Sequence, residues 1–463
     1  MSRISSLFPL ALVLPAAILL APRPAAAAEV IWDGYYRAEG HVYSSLSLSK
    51  TNPLAEGTSA WMDHRARLRP GFLFSDKVAL YTQLDLLPFV MFGQDPAGGI
   101  DLTTGSDLPL VYDQAVQPPT TTDGAVTLQN LQVTRLWGEV YFDNIGTLRF
   151  GRMPVEWGSG MVFNAGNRPE DDAGDTEDRV SFTGRAGPIY VMGAFGVPDG
   201  GFVNQFDGMR DLSGSVAHLS EQASVGFYNS YRWQNSDTSK VGVWTGDLWG
   251  KAELGPVRVE TELAAVIGSG DLDTGANGVS IAAFGGHING LFDSDHLIFG
   301  LDAGLAGGDK DTEDKKLHTF AFDSDYNLSL MMFEQPMPVL QATVSNDTNN
   351  GRNLGAVRTR NGLSNAAYIR PMVGWKLRPD LTAQASLLAA QAAKLPDADK
   401  ANKGYGTELD LDLGYRPFDH FQVGLTGGAF FPGKYYSGYE DATLGSGFDH
   451  MALGTRVRAT VQF

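Results

Sequence analysis

The residues from His450 to Phe463, HMALGTRVRATVQF, set Arg456 and Arg458 on alternate positions and interleave them with Met451, Leu453, Val457, Ala459 and Val461. An extended segment points successive side chains to opposite faces, so a period of two gives one apolar face and one polar face. Such a strand requires oil on one side and water on the other. The pattern also opens the chain. Between Ile31 and Leu48, Trp32, Gly34, Tyr36, Ala38, Gly40, Val42, Leu46 and Leu48 share one parity, while Asp33, Tyr35, Arg37, Glu39, His41 and Tyr43 share the other. It returns in MDHRARLRPGFLF, where Met62, Ala66, Leu68, Phe72 and Phe74 oppose Asp63, Arg65, Arg67 and Arg69.

The spacing of turns says which oil. RLWGEVYF turns at DNIG and leaves as TLRFGRMPVEWG, AAYIRPMVGWKL turns at RPD, and TELDLDLGY turns at RPFDH. These short junctions use Gly, Pro, Asp and Asn, which supply turn dihedrals or local side-chain bonds. Long polar connections lie between the hairpins, so short and long alternate. A soluble sandwich has no reason to gather its long loops at one end, whereas an outer-membrane barrel does. After Ala28 no uninterrupted apolar run reaches the roughly eighteen residues a membrane helix needs. Only helices and closed barrels satisfy all backbone polar groups in lipid. In the first, second and last strands no charged residue falls on the apolar parity, where an Arg at the bilayer midplane costs about 2–4 kcal/mol.

The expected fold is therefore all-β: a single transmembrane antiparallel up-and-down β-barrel of about eighteen strands. It has short periplasmic turns, long extracellular loops, both termini in the periplasm and no second domain. The stretch from Pro198 to Lys240 is the least regular, and even parity sets the count there. The chain's start, with Arg3, apolar residues from Leu7 to Leu20 and the small-residue tail ending at Ala28, has the layout of a secretory signal peptide. That assigns residues 1–28 to a signal and 29–463 to the barrel. Pro9, Pro15, Pro22 and Pro24 oppose a buried helix there.

The absence of cysteine rules out disulfides, thiolate metal sites and thiol catalysis. A net charge of −18 argues against nucleic acid, since counterion release needs Lys and Arg in excess. The eight histidines show no local Ser or Asp signature of a hydrolase, and His41 reads as a wall residue. GSGDLDTGANG joins strands and opens no helix, so it is no phosphate cradle. No catalytic residue, cofactor or metal is expected. EDDAGDTEDR offers Asp171, Asp172, Asp175, Glu177 and Asp178, but without the spacing of an EF-hand loop it reads as a solvated acidic loop.

Phe463 on the apolar parity resembles the C-terminal signal that outer-membrane proteins present to the barrel-assembly machinery. The whole pattern resembles large porins and eighteen-stranded alginate-export barrels. GRMPVEWGSGMVFNAGNRPEDDAGDTEDRVSF (Gly151 to Phe182) and FAFDSDYNLSLMMFE (Phe320 to Glu334) resemble motifs of a porin-like family of myxobacteria. These likenesses imply a channel in a Gram-negative outer membrane, not its cargo.

On the polar parity Arg37, Arg65, Arg67, Arg69, Arg456 and Arg458 meet at the seam and form a basic wall. Glu260 and Glu262 lie about halfway round. Opposed charge rows give a transverse field that selects solutes; alternatively the arginines pair with Glu408, Asp410 and Asp412 and brace the wall. The loop from Gly307 to Ser364 carries Leu328, Leu330, Met331, Met332 and Phe333, an apolar run that needs burial. It is expected to fold inward as a constriction, with Asp323, Asp325, Tyr326 and Asn327 towards the solute; the alternative is a strand extension beyond the membrane. The function expected is passive passage of small hydrophilic solutes. The alternatives are export of an acidic polysaccharide, and an adhesion or structural barrel with a blocked bore. Expected partners are outer-membrane lipid and lipopolysaccharide, the assembly machinery and the solute.

Overall fold

The computed structural model describes residues 28–46, 48, 58–86, 92–93, 131–199, 209–235, 240–271, 278–310, 314–335, 362–395, 403–437, 440–441, 445–446 and 448–463. Eighteen antiparallel strands close into a barrel. They are β1 (Gly34–Ser44), β2 (Thr58–Leu68), β3 (Val78–Leu86), β4 (Leu131–Phe142), β5 (Gly146–Pro154) and β6 (Thr176–Ala186). Then come β7 (Ile189–Asp199), β8 (Met209–His218), β9 (Ala223–Asn235), β10 (Lys240–Leu254), β11 (Val257–Gly270) and β12 (Val279–Asp293). The circuit ends with β13 (Leu297–Ala306), β14 (Ala366–Arg378), β15 (Leu381–Ala392), β16 (Gly404–Phe418), β17 (Phe421–Pro432) and β18 (Ala452–Gln462). Each pairs with its sequence neighbours, and β1 pairs with β18 from Tyr35 opposite Gln462 to Ser44 opposite Leu453. The irregular stretch from Pro198 to Lys240 supplies β8 and β9.

Connections alternate strictly. With Gly71–Ser75 counted as the continuation of β2, eight run two to four residues on one rim, and nine run from four to fifty-nine on the other. Both ends of the sheet lie at the short-turn rim. Pro70, which has no N–H to give a ladder, interrupts the second strand. The chain resumes as Gly71–Ser75, paired with Glu29–Ile31 on one side and with β3 on the other.

The sheet is inverted relative to a soluble protein. Leu453, Val457 and Val461 point outward at 46%, 46% and 42% exposure, whereas the side chains of Arg456 and Arg458 on the opposite parity keep 28% and 17%. Arg37 and Arg65 head the largest fully buried side chains. Phe142, Phe292, Phe299, Tyr415, Phe418 and Phe463 stand exposed near the short turns, where a barrel's aromatic girdle belongs.

One parity assignment fails. Leu48 was expected on the outer face, but it is fully buried inside. Ser45 and Leu48 adopt φ of 60° and 56°, which ends the pleat after Ser44 and carries the chain into the bore.

Candidate functional site

Two loops fold into the bore from the long-loop rim, and the charged residues of the inner wall hold them. The first runs from β5 to β6. Its backbone carbonyls, turned away from water, need donors, and inward arginines provide them. Arg37 Nη1 donates to Pro169 O (2.9 Å), Arg65 Nη1 and Nη2 to Asp171 O and Asp172 O (2.7 Å each), and Arg69 Nη1 to Asn167 O (3.1 Å). Arg67 donates to Gly166 O, and Arg135 on β4 to Ala165 O. A planar fork with five donors suits this task where a lysine would not. The loop crosses itself at Gly166 (φ +62°) and Gly174 (φ +147°), and a Cβ on either would strike the opposing backbone.

The same arginines are neutralised from the wall. Arg37 Nε meets Glu39 at 3.1 Å, and its Nη2 lies 3.5 Å from Asp63 and 2.8 Å from Asp172. Arg67 makes a two-bond fork with Asp85 at 2.7 and 2.8 Å. Arg458 reaches Glu39 at 2.5 Å, Arg456 at 3.9 Å, and His41 Nε2 sits 2.9 Å from Asp63. Glu39, His41 and Asp63 lie close enough to converge on a cation. Three guanidinium groups already balance those carboxylates, so the cluster is an ion-pair network and no metal cage is assigned. The basic wall expected from sequence is thus a loop anchor whose charge is largely compensated.

The second loop, Lys316 to Gln335, packs Leu328, Leu330, Met331, Met332 and Phe333 with Tyr43, Leu48, Tyr405, Phe430 and Phe448 in one buried cluster. Here the wall supplies acceptors. Met331 N–H and Met332 N–H donate to Glu408 (2.7 and 2.6 Å), and Leu330 N–H to Asp410 (3.2 Å). These two carboxylates hold loop amides; no ion pair joins them to the arginines among the described residues. At the loop's other end Phe320 and Phe322 lie against Gly285 of β12, and Tyr326 reaches Tyr368 (3.1 Å) and Asp302 (3.3 Å).

The loops also grip each other. Asp325 accepts from Asp172 N–H and Ala173 N–H (2.8 and 3.0 Å), and Asp323 N–H donates to Met161 O (2.7 Å). Burial pushes the Asp325 carboxyl up to about 6, against the pull of the amides it accepts. Asp325 is buried rather than turned to a solute, while Asn327 is exposed. The acidic stretch is not a solvated loop either. Asp171 is 1% exposed and bound by Arg168 at 2.9 Å, and Asp172 pairs with Arg37.

A third anchor escaped the sequence reading. Ser159 N–H and Oγ donate to Glu262 on β11 (2.6 and 2.7 Å), and His287 Nε2 on β12 lies 2.6 Å from Ser159 Oγ. His287 Nδ1 stands 4.0 Å from Asp302. The order Ser, His, Asp is that of a hydrolase triad, but the chemistry is not. The Ser159 hydroxyl donates to Glu262, so its proton is directed to a carboxylate and not to the imidazole. The carboxylate also occupies the Ser159 amide, where donors to an oxyanion would be required. The arrangement is a clamp. Its sequence trace is the glycine pair around Ser159, followed by Met161, Val162 and Phe163. Glu260, the other expected acidic wall residue, accepts from Trp249 Nε1 at 2.8 Å and is half-buried.

No family model matches this chain, and no curated protein matches its sequence. Among solved structures, OccK9 (OpdG) of Pseudomonas aeruginosa is 12% identical over 94% of this chain and 99% of its own, with a TM-score of 0.51. Acinetobacter baumannii OccAB1 is 10% identical over 94% and 96%, also with a TM-score of 0.51. At these identities the likeness is one of fold, the closed eighteen-stranded barrel of bacterial outer-membrane proteins.

Proposed function

We propose that this chain is an outer-membrane channel that lets small hydrophilic solutes diffuse passively through a bore narrowed by two inward loops. The short-turn rim and both ends of the sheet face the periplasm, and the long loops face outward. The observation that carries this reading is the inverted wall: Leu453, Val457 and Val461 outside, with Arg37, Glu39, Asp63, Arg65 and Arg67 inside. The polar face turns inward, and eighteen strands leave room for water beside the loops.

A second reading follows from the buried cluster around Met331 and Met332. Apolar packing across the bore suits a barrel whose lumen is shut. Export of a polysaccharide would require both loops to leave the bore, against the arginine and carboxylate anchors. Planar-bilayer recording of the purified protein separates these. Stepwise ohmic conductance supports the channel; silence of correctly folded protein over the whole voltage range supports the shut barrel and removes our reading.

A further inference from the structure

Near the long-loop rim the outward face of β8 to β11 carries a cleft of about 460 Å³, lined by Leu212, Tyr231, Trp233, Asn235, Lys240 and Ser269 among others. We propose that this cleft binds the phosphorylated sugar headgroup of an outer-leaflet glycolipid. The proposal rests on the orientation given above, with the long loops outward.

The outward parity of these strands changes character along their length. Towards mid-strand it presents Val216, Phe227, Leu248 and Leu263, all exposed and apolar. At the cleft the same parity presents Arg210, Asn235, Lys240 and Ser269. Charge on a lipid-facing parity is tolerated near the interface and not in the hydrocarbon, so the cleft sits at headgroup depth. What covers it there is a lipid head.

Its chemistry narrows the choice. Tyr231 and Trp233 stack with ring centroids 5.6 Å apart at 20°, presenting the flat amphipathic surface found at membrane interfaces. The Tyr231 hydroxyl lies over Gly242, where a Cβ would meet it at 2.9 Å, so this glycine leaves the notch that seats the ring. Lys240 forms no ion pair among the described residues. Another cation on the lipid side is compensated: Arg152 on β5 makes a two-bond fork with Asp178 on β6, at 2.8 and 2.7 Å. Arg210, opposite Trp233 in register, faces the same way as Lys240. A phosphate supplies the counter-charge for Lys240, and the Asn235 amide and Ser269 hydroxyl suit sugar hydroxyls. The volume and these polar groups favour a glycolipid over a glycerophospholipid.

The test is native mass spectrometry of the full barrel reloaded in detergent with lipid A or with phosphatidylglycerol. Wild-type protein is expected to retain one lipid A through washing. Lys240→Glu should lower the retained fraction about tenfold, the loss of one charge-assisted hydrogen bond, while Lys240→Arg keeps it. Ser269→Trp, which fills the cleft from another strand, should also abolish retention. Retention at the wild-type level in Lys240→Glu and Ser269→Trp, or wild-type retention of phosphatidylglycerol equal to that of lipid A, overturns the proposal. Orientation is read separately: labelling of Glu221→Cys by an impermeant maleimide on intact cells would place the short turns outside and sink that reading instead.

Discussion

Gly34 and Phe463 exchange both of their backbone hydrogen bonds, Gly34 N–H to Phe463 O at 3.0 Å and Phe463 N–H to Gly34 O at 3.1 Å. The two residues are the last rung of the seam where β1 meets β18. A Cβ built on Gly34 would land on the Arg67 carbonyl oxygen and within 3.0 Å of the Phe463 ring.

Gly34→Val should therefore weaken closure by about 1–3 kcal/mol, the usual cost of overpacking a filled site. The folded fraction on unheated SDS gels after graded urea treatment should fall, with Gly34→Ala intermediate. A valine variant as resistant as wild type would contradict the crowding seen at the seam.

Glu408 and Asp410 fix the second loop, and a hydrogen bond to a charged group contributes about 1.5–3 kcal/mol. Glu408→Gln combined with Asp410→Asn should loosen it. The chain has no cysteine, so maleimide labelling of Ser329→Cys reports loop position. Labelling should speed up in the double variant, with larger conductance fluctuations.

Arg65 donates to two carbonyls at once, which an ammonium cannot reproduce in the same plane. Arg65→Lys and Arg65→Ala should both free the first loop, the second more strongly, with cleavage near Pro169 by added protease as the readout. Because Asp63, Asp85 and Asp172 already compensate this wall, the anion-to-cation permeability ratio from reversal potentials should change little. A large shift in that ratio would restore the selective-wall account.

Asp325 ties the loops together with a carboxyl raised to about 6 by burial. A carboxyl raised on folding favours its protonated form there, so its contribution is complete below the ordinary carboxylate range and fades as pH rises through about 6. Loop mobility, and with it open-channel noise, should grow across that interval. Asp325→Asn should flatten the dependence.

The strand parity was legible because each strand carries it alone: which face of Arg456–Leu453 meets oil is a local property of alternation. The break at Pro70 was missed, since the expected strand ran on through Phe72 and Phe74, although a proline's lack of an N–H is an equally local signal. What the sequence did not display is the fate of the arginines. Arg65 and the carbonyl of Asp171 lie 106 positions apart, and no period relates a side chain to a distant main-chain oxygen. The apolar run from Leu328 to Phe333 did signal burial, since such a segment cannot rest in water. The first loop gave a weaker signal, for its acidic residues suggested solvent until the guanidinium partners were in view. Ser159 was hidden for the same reason: Glu262 and His287 come to it from two other strands.

Much of the fastening of both inward loops runs through their main chain, by its oxygens in one and by its amides in the other. At positions held only through the main chain, such as Pro169, the side chain can be exchanged while the fastening stays intact, whereas Ser159, Asp172, Asp325, Tyr326 and the apolar run from Leu328 to Phe333 are fastened by their side chains. A barrel fastened in that manner can diversify what it admits without redesigning its frame.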